Sequence, residues 1–341
     1  MKKGRRLLRI ALRAAAVALL LFAGVLTWIL YPPPARKIVF PGGKQFAFSI
    51  VDDTDQATLE RNKPVYDLLS RYGLRTTKTV WVLGPTEVSN TTNLGDNLGD
   101  PAYREFIIEL QGRGFEIGLH GVRGGSSPRR DIIAGLDEFK TLLGHDPSIQ
   151  VNHSLNRDNL YWGRDRWSFA PFRWAYGLIE DVDFSGEDPA SVHFWGDLAQ
   201  KRIRYVNQFT FLDINLLHVT PSIPYRLTDK PYVNYWFPTA DGDNLDRFEE
   251  LLSAKNLDRL EREGGVCLVY AHLGAGSFNK DDVVSPRFEA RIRDLASRNG
   301  WFVPASEILD YLKQQPGWNG EPGLREKIRL ETLFLWTVIT R

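Results

Sequence analysis

The chain has 341 residues, of which 43% are hydrophobic and 25% are charged, and its formal net charge is +1. This balance excludes a disordered chain and predicts one domain of roughly 250 to 300 residues with an appendage. Cys267 is the only cysteine, which excludes an internal disulfide and a cysteine-based metal site.

The first 31 residues predict a membrane anchor. Residues 1–13 carry six lysines and arginines and no acid, and residues 14–31 are predominantly apolar, which is long enough to cross a bilayer. Because basic residues stay on the cytoplasmic side, we expect a single-pass protein with a cytoplasmic N-terminus and a periplasmic or extracellular domain. A cleaved signal peptide is the competing interpretation, but the run ends in Trp28 and Tyr31 rather than in the small residues of a cleavage site.

Residues 32–43 follow the anchor and begin with three prolines, which predicts a stiff linker. From Pro32 onward the chain has 37 basic and 42 acidic residues. This nearly neutral domain excludes nucleic acid as an expected partner.

Between residues 44 and 315, short apolar runs alternate with longer amphipathic ones, which predicts βα units and a parallel sheet. The predicted strands are residues 45–51, 77–83, 115–120, 148–154, 182–186, 203–211, 266–272 and 301–305. The predicted helices are residues 57–72, 101–114, 130–144, 167–179, 190–201, 243–263 and 285–299. The fold class is therefore α/β, and seven or eight units favour a barrel. Residues 316–341 form a C-terminal tail whose apolar run 333–340 either docks on the domain or lies against lipid.

Polar residues follow the predicted strands, at the ends where a parallel barrel places its working groups. They are Asp52, Asp53, Asp55, His120, Asn152, His153, Glu187, Asp188 and His272. A lone histidine there is more often a packing residue, but three histidines and an acidic cluster together favour one polar site. Imidazole nitrogens and carboxylate oxygens are ligands that a divalent metal such as zinc takes.

The stretches "FSIVDDTD", "FIIELQGRGFEIGLHG" and "LVYAHLG" resemble, in order and spacing, motifs of the polysaccharide deacetylase (NodB homology) superfamily, carbohydrate esterase family four. The resemblance covers residues 44–312. It implies a distorted (β/α) barrel of seven or eight units that removes acetyl groups from N-acetylated sugars with a bound divalent metal. Carried over by position, it also implies a general base, a general acid and two metal ligands. These are Asp52 as base, His272 as acid, and Asp53 and His120 as ligands.

The chain departs from the family pattern at two places. The family has a second histidine four residues after the first, where this chain has Gly124, and its Arg-x-Pro strand end is replaced by "VNHSLNRDN". We therefore predict His153 as the third ligand, arriving from the next strand, and zinc as the expected ion. The alternatives are that Ser126, Asp55 or water completes the ligand set, or that the site holds metal poorly or not at all.

A glycan is the substrate that the resemblance implies. The dense aromatic residues between Tyr161 and Trp236 suit a glycan, since flat rings stack on sugar faces, although packing in the core is the alternative for each ring taken singly. Residues 218–243 lack a helical or strand period and predict a long loop over the barrel mouth. The predicted substrate-binding residues are Asn152, Arg123, Glu187 and Trp195.

Three functions remain open on the sequence alone. The first is a membrane-anchored, metal-dependent deacetylase of an envelope or exported glycan. The second is a metal-independent glycoside hydrolase that uses two carboxylates such as Asp52 and Glu187. The third is a catalytically idle glycan-binding or assembly protein. The sequence indicates no oligomeric state.

Overall fold

Seven parallel strands close into a barrel in the computed structural model, which describes residues 19–20, 23–32, 38–85, 94–179, 182–280 and 283–340. The strands are β1 (Phe46–Asp52), β2 (Thr77–Val80), β3 (Glu116–Leu119), β4 (Ile149–Gln150), β5 (Tyr205–Phe211), β6 (Tyr235–Asp241) and β7 (Val266–Ala271). They pair in chain order, and β1 also pairs with β7, which closes the ring. The predicted α/β barrel is confirmed, with seven strands in the ring.

Three short strands lie outside the ring. β8 (Asn279–Lys280) and β9 (Val283–Val284) pair with each other in antiparallel orientation. β10 (Gly300–Phe302) pairs with the first half of β1 and extends the sheet there.

Helices surround the barrel in the order expected for βα units. They are α1 (Leu59–Arg71), α2 (Pro101–Gly112), α3 (Arg129–Leu143), α4 (Ala170–Gly177), α5 (Gly196–Arg202), α6 (Leu216–Val219), α7 (Leu245–Leu251), α8 (Ala254–Glu263), α9 (Pro286–Ala296), α10 (Ala305–Lys313) and α11 (Leu324–Thr340). Thr58 caps α1 by accepting a hydrogen bond from the backbone N–H of Arg61. Gly144 ends α3 with a φ of +81°, a left-handed conformation that favours glycine.

The structure corrects two predictions around the middle of the chain. Residues 182–186, predicted as a strand, contain no strand, whereas β6 lies within residues 218–243, which were predicted as a loop. Pro238 stands inside β6, and proline normally argues against a strand because it cannot donate to the ladder. The register of β5 and β6 shifts between the pairs made by Asn207 and Thr210, on either side of Pro238. This irregularity accommodates the proline.

The C-terminal tail forms α11, which docks on the barrel. Its Phe334 is buried and packs on Phe209 of β5, with ring centroids 4.4 Å apart. Near the start of α11, Arg325 donates hydrogen bonds to the backbone carbonyls of Trp28 and Tyr31, at the end of a helical segment at residues 23–30.

Within the part of the chain that the structure describes, no helix has the length and apolar character needed to cross a bilayer. The predicted basic segment 1–13 and part of the predicted anchor, residues 14–18 and 21–22, lie outside the described residues.

The register of the strands brings their carboxyl ends to one level. Asp52 pairs with Ala271, and Val80 pairs with Leu119, which also pairs with Gln150. The side chains that follow these pairs therefore gather at one mouth of the barrel.

Candidate metal centre at the barrel mouth

A tight turn after β1 brings two carboxylates to the barrel mouth. The backbone N–H of Asp53 continues the ladder by donating to the carbonyl of Ala271, and the N–H of Ala57 closes the turn on the carbonyl of Thr54. Asp53 and Asp55 both line a cavity of about 560 Å³. A volume of that order is typical of sites that bind small ligands.

Asp55 is the centre of the polar cluster. Its Oδ1 lies 2.8 Å from Nε2 of His153. Its Oδ2 lies 3.3 Å from Nε2 of His120 and 3.2 Å from Nε2 of His272. Burial alone would raise the pKa of Asp55, but its close contacts with these three histidines, His120 foremost, hold that pKa well below its usual range. The carboxylate is therefore ionised at neutral pH.

Two overlapping groups of side chains have the composition of a metal site. The first group is Asp55, His120 and His153, and the second is Asp53, Asp55 and His272. Within each group, the potential ligand atoms lie within 4.8 Å of one another. The first group combines one carboxylate with two imidazoles, and three protein ligands of this kind leave a coordination position open in catalytic zinc sites.

Unpaired buried atoms mark the same place. Both ring nitrogens of His120 and Oδ1 of Asp53 are buried without a hydrogen-bond partner among the described residues. Such groups are costly unless a ligand satisfies them. Ligands about 2.0 to 2.1 Å from a tetrahedral zinc ion lie about 3.3 Å apart, and Nε2 of His120 lies 3.3 Å from Oδ2 of Asp55. The donor set therefore fits a divalent ion such as zinc.

Hydrogen bonds and ring contacts behind the histidines hold their orientation. Nδ1 of His153 lies 3.0 Å from Oδ1 of Asn156, and the indole N–H of Trp81 donates to the backbone carbonyl of His120 at 3.0 Å. The Trp81 ring packs against both imidazoles, with centroid distances of 6.4 Å to His120 and 5.6 Å to His153. Supporting contacts of this kind orient metal-binding imidazoles.

Asp53, which the resemblance implied as a metal ligand, is buried beside the group Asp55, His120 and His153 and belongs instead to the group with Asp55 and His272. Its Oδ1 lies 3.7 Å from Nδ1 of His120. Burial raises the pKa of Asp53 to about 6, against the opposing attraction of His120. A carboxyl group with this pKa can accept and release a proton near neutral pH.

His272 faces the cluster from the end of β7. Its Nδ1 lies 2.9 Å from Oδ1 of Asp243, and its Nε2 lies 3.2 Å from both Oδ2 of Asp55 and the hydroxyl of Tyr270. Burial alone would lower the pKa of His272, but the hydrogen bonds to Asp243 and Asp55 raise it to about 11. The imidazole is protonated at neutral pH and is able to donate a proton.

Asp52 does not face the cavity, although the resemblance implied that it is the general base. Its side chain is fully buried and is not among the described residues that line the cavity. Its Oδ2 accepts hydrogen bonds from the ammonium of Lys78 at 2.9 Å and the hydroxyl of Tyr66 at 2.8 Å, and its Oδ1 accepts from the backbone N–H of Leu273 at 2.7 Å. With both oxygens engaged, Asp52 does not have the position of the general base that the resemblance implied.

Asn152 is the one predicted substrate-binding residue that lines the cavity. Its amide is also bonded to the backbone, since Nδ2 donates to the carbonyl of Leu160 at 3.1 Å. Arg123 lies outside the cavity lining and pairs with Asp131 at 3.1 Å. Its guanidinium therefore has a structural partner rather than access to the cavity.

Glu187 and Trp195 also lie away from the cavity. Glu187 accepts a hydrogen bond from the backbone N–H of Tyr161 and lines a separate crevice of about 340 Å³. Trp195 is buried, and its indole donates to the carbonyl of Asp158 at 2.6 Å. The strand predicted before Glu187 is not formed, so the strand-end argument for that residue fails.

Three aromatic residues of the cavity wall, Trp162, Trp167 and Tyr176, fall in the aromatic-rich stretch that the sequence associated with sugar binding. Asp243, Phe334 and Val338 are cavity residues that were not predicted. Asp243 follows β6, so the strand-end rule would have found it had Pro238 not obscured that strand. No sequence signal placed the C-terminal tail at this mouth of the barrel.

Comparison with known proteins gives distant similarities to solved structures. No protein-family model and no curated protein matches the chain. It is similar to the structure of a protein described as a polysaccharide deacetylase from Mycobacterium smegmatis, at 14% identity and a TM-score of 0.49, covering 86% of this chain and 100% of that one. The structure of a protein described as a polysaccharide deacetylase from Pseudomonas aeruginosa PAO1 is similar at 12% identity and a TM-score of 0.49, covering 84% of this chain and 96% of that one.

A structure of Puue allantoinase is similar to nearly the same degree, at 12% identity and a TM-score of 0.47, covering 85% of this chain and 96% of that one. Proteins described as polysaccharide deacetylases are thus among the solved structures similar to this chain. Similarities this distant do not assign an activity to this chain.

Proposed function

We propose that this chain is a metal-dependent hydrolase that removes the acetyl group from an N-acetylated sugar. The observation that carries the proposal is the group Asp55, His120 and His153, whose buried His120 nitrogens have no hydrogen-bond partner within the described chain. A proton acceptor, Asp53, and a proton donor, His272, line the same cavity. Together they make a site for metal-assisted hydrolysis rather than for binding alone.

Different side chains of the site bind the metal, accept a proton and donate a proton during amide hydrolysis. Asp55, His120 and His153 hold the ion, which when bound polarises the amide carbonyl and lowers the pKa of water from 15.7 toward about 7. Asp53 takes a proton from the water that attacks the carbonyl carbon. His272, oriented by Asp243, gives a proton to the nitrogen as the C–N bond breaks, so acetate and a free amine leave.

Asp52 has a supporting role in this scheme. Its Oδ1 binds the backbone N–H of Leu273, next to His272, while Lys78 and Tyr66 hold its other oxygen. The carboxylate therefore ties the end of β1 to the end of β7 and fixes the distance between the proton acceptor and the proton donor.

A sugar is the proposed substrate because the cavity combines this polar group with the rings of Trp162, Trp167 and Tyr176. Flat aromatic faces pack well against saccharide rings. The N-terminal sequence supports a location outside the cytoplasm, on a membrane anchor, where an envelope or exported glycan is available.

The geometry does not favour the glycoside hydrolase alternative. That mechanism needs two carboxyl groups flanking one glycosidic bond, but Asp52 is enclosed by its own partners and Glu187 lines a different crevice. The idle glycan-binding alternative is separated from the proposed function by metal content and turnover.

The test is acetate release from an N-acetylglucosamine oligosaccharide by the purified full chain, before and after chelation and after zinc is restored. We expect activity to be lost with the metal and recovered with zinc, and zinc to raise the melting temperature, because an ion bound only by the folded state stabilises it. His153→Ala should lose both effects. His145→Ala, a matched change at an exposed histidine, should keep them. No zinc-dependent stabilisation and no acetate release would contradict the proposal and favour an idle protein.

A further inference from the structure

The C-terminal helix α11 supplies part of the wall of the cavity. Phe334 and Val338, one helical turn apart, line the same cavity as Asp55. Phe334 is buried against Trp167, with ring centroids 5.4 Å apart. Val338 is 49% exposed, so the cavity reaches the surface beside the last turns of α11.

Helix α4 contributes to the same opening. Its Tyr176 lines the cavity, and the Tyr176 ring lies 5.8 Å from that of Trp167. Trp167 thus contacts α4 through Tyr176 and α11 through Phe334. The two helices therefore lie at the same part of the cavity wall.

The segments that form this opening also carry exposed apolar side chains, which we call the apolar rim. The rim comprises Trp174, Leu178, Ile179, Trp336, Val338 and Ile339, each between 49% and 77% exposed. Single exposed apolar side chains are ordinary, but several of them on two helices that contact the same buried Trp167 ring indicate an interaction surface. Exposed tryptophan and aliphatic side chains are of the kind that contact a membrane interface.

Helix α11 also holds the end of the N-terminal apolar segment. The Arg325 guanidinium donates to the carbonyl oxygens of Trp28 and Tyr31 at 2.6 and 2.8 Å and lies 4.9 Å from the centroid of the Trp28 ring. Trp28 and Tyr31 are exposed and are side chains that settle at the membrane–water interface.

This attachment relates the cavity opening to the bilayer. Arg325 and Val338 are separated by 13 helical residues, or about 20 Å at the rise of an α-helix. The helix that binds the end of the predicted anchor therefore also borders the opening.

We propose that the substrate is a membrane glycolipid, in which the N-acetylated sugar is joined to a hydrocarbon chain. The sugar head enters toward Asp55, and the hydrocarbon chain passes along Phe334 and Val338 to the bilayer, against which the apolar rim rests. This inference rests on the proposed deacetylase function, because it names the substrate class of the same site. It accounts for the apolar side of the cavity and for the exposed rim, neither of which a freely soluble sugar requires.

The first test compares binding of two ligands with the same head, the methyl and octyl glycosides of N-acetylglucosamine, by calorimetry below the micellar concentration of the octyl compound. We expect the octyl glycoside to bind the full chain at least about tenfold more tightly, since burial of only two methylene groups corresponds to about that factor. Val338→Asp should reduce the ratio of the two affinities. Ile108→Asp, a matched change at an exposed aliphatic residue of α2, should preserve it.

The second test measures acetate release from an N-acetylglucosaminyl lipid in phosphatidylcholine vesicles. Ile339→Asp, at the outer end of the apolar rim, should lower the rate on vesicles more than the rate on the methyl glycoside. The glycolipid inference would be overturned if Ile339→Asp keeps the wild-type rate on vesicles and the full chain binds the two glycosides with equal affinity, even if both compounds are deacetylated. Tighter binding of the octyl glycoside without acetate release from any substrate would overturn the proposed function, and with it the glycolipid as a substrate, and would leave the cavity as a site that binds a glycolipid.

Discussion

Two polar clusters meet at the end of β1, and they differ in how completely their charges are satisfied. In one, both oxygens of Asp52 are bonded, to Lys78, to Tyr66 and to the backbone of Leu273. In the other, on the cavity side, His120 and Asp53 keep buried atoms without hydrogen-bond partners among the described residues. Because buried polar groups in folded proteins are almost always paired, the first cluster has the character of a structural tie and the second that of a binding site.

Asp55→Asn should break the second cluster most severely. Removing one of three protein ligands should weaken zinc affinity by more than the ~10- to 100-fold that follows from removing a residue that only hydrogen-bonds a ligand. Activity should disappear with the ion. Zinc content measured by mass spectrometry checks the first effect and acetate release the second. Asp188→Asn, a change at an exposed carboxylate, is the matched control. Full zinc content in Asp55→Asn would assign the ion to other ligands.

Asp53→Asn should separate proton transfer from metal binding. We expect turnover to fall by ~10² to 10⁴, the range for a positioned acid or base, while zinc content is unchanged. Loss of the ion together with turnover would make Asp53 a ligand.

The same variant has a consequence for stability in the chelated protein. Because burial raises the pKa of Asp53 from 3.8 to about 6, the folded state binds the proton more tightly than the unfolded state, and stability falls as pH rises through this interval. Asp53→Asn lacks this loss, so the melting temperature of the variant minus that of wild type should increase between pH 4 and pH 7. A constant difference across this range would contradict the assignment.

Lys78→Met should damage the first cluster and spare the second. Leaving the buried Asp52 carboxylate without its cation should cost about 3 to 5 kcal/mol of unfolding free energy, while zinc affinity of the folded protein is retained. Denaturant titration measures the loss. Asp52→Asn added to Lys78→Met should restore part of it, because the unpaired charge is then gone. A stable but inactive Lys78→Met protein would instead place Lys78 in the catalytic machinery.

Asp243→Asn should have the smallest effect, because Asp243 acts through His272. We expect turnover to fall by about 10- to 100-fold, as for other orienting partners. Loss of this carboxylate lowers the pKa of His272, which Asp243 helps to raise, so the alkaline limb of the pH–rate profile should move to lower pH. A lower rate with an unmoved alkaline limb would exclude Asp243 as the partner of the proton donor.

The parallel barrel and the gathering of His120, His153 and His272 could be predicted, because parallel strands bring their carboxyl ends to one level. β6 could not, because Pro238 contradicts the pattern of a central strand. The sequence also placed three acids within four positions without showing which one faces the cavity. That choice depends on the turn from Asp53 to Ala57 and on the buried Lys78, which captures Asp52.

The docking position of the C-terminal tail could not be predicted from the sequence either. An apolar run can dock on a domain or on lipid, and only the position of Phe209 and Trp167 shows where Phe334 packs. Long-range contacts of this kind leave no local period in the sequence.

The most direct test is a crystal structure of the zinc-loaded protein with anomalous diffraction measured at the zinc edge. We expect one ion at the barrel mouth, bound by a carboxylate oxygen of Asp55 and by one ring nitrogen each of His120 and His153, at about 2.0 to 2.2 Å. An ion ligated by Asp52, an ion whose ligands omit Asp55 and His153, or a zinc-soaked crystal with no ion at this mouth would contradict the assignment.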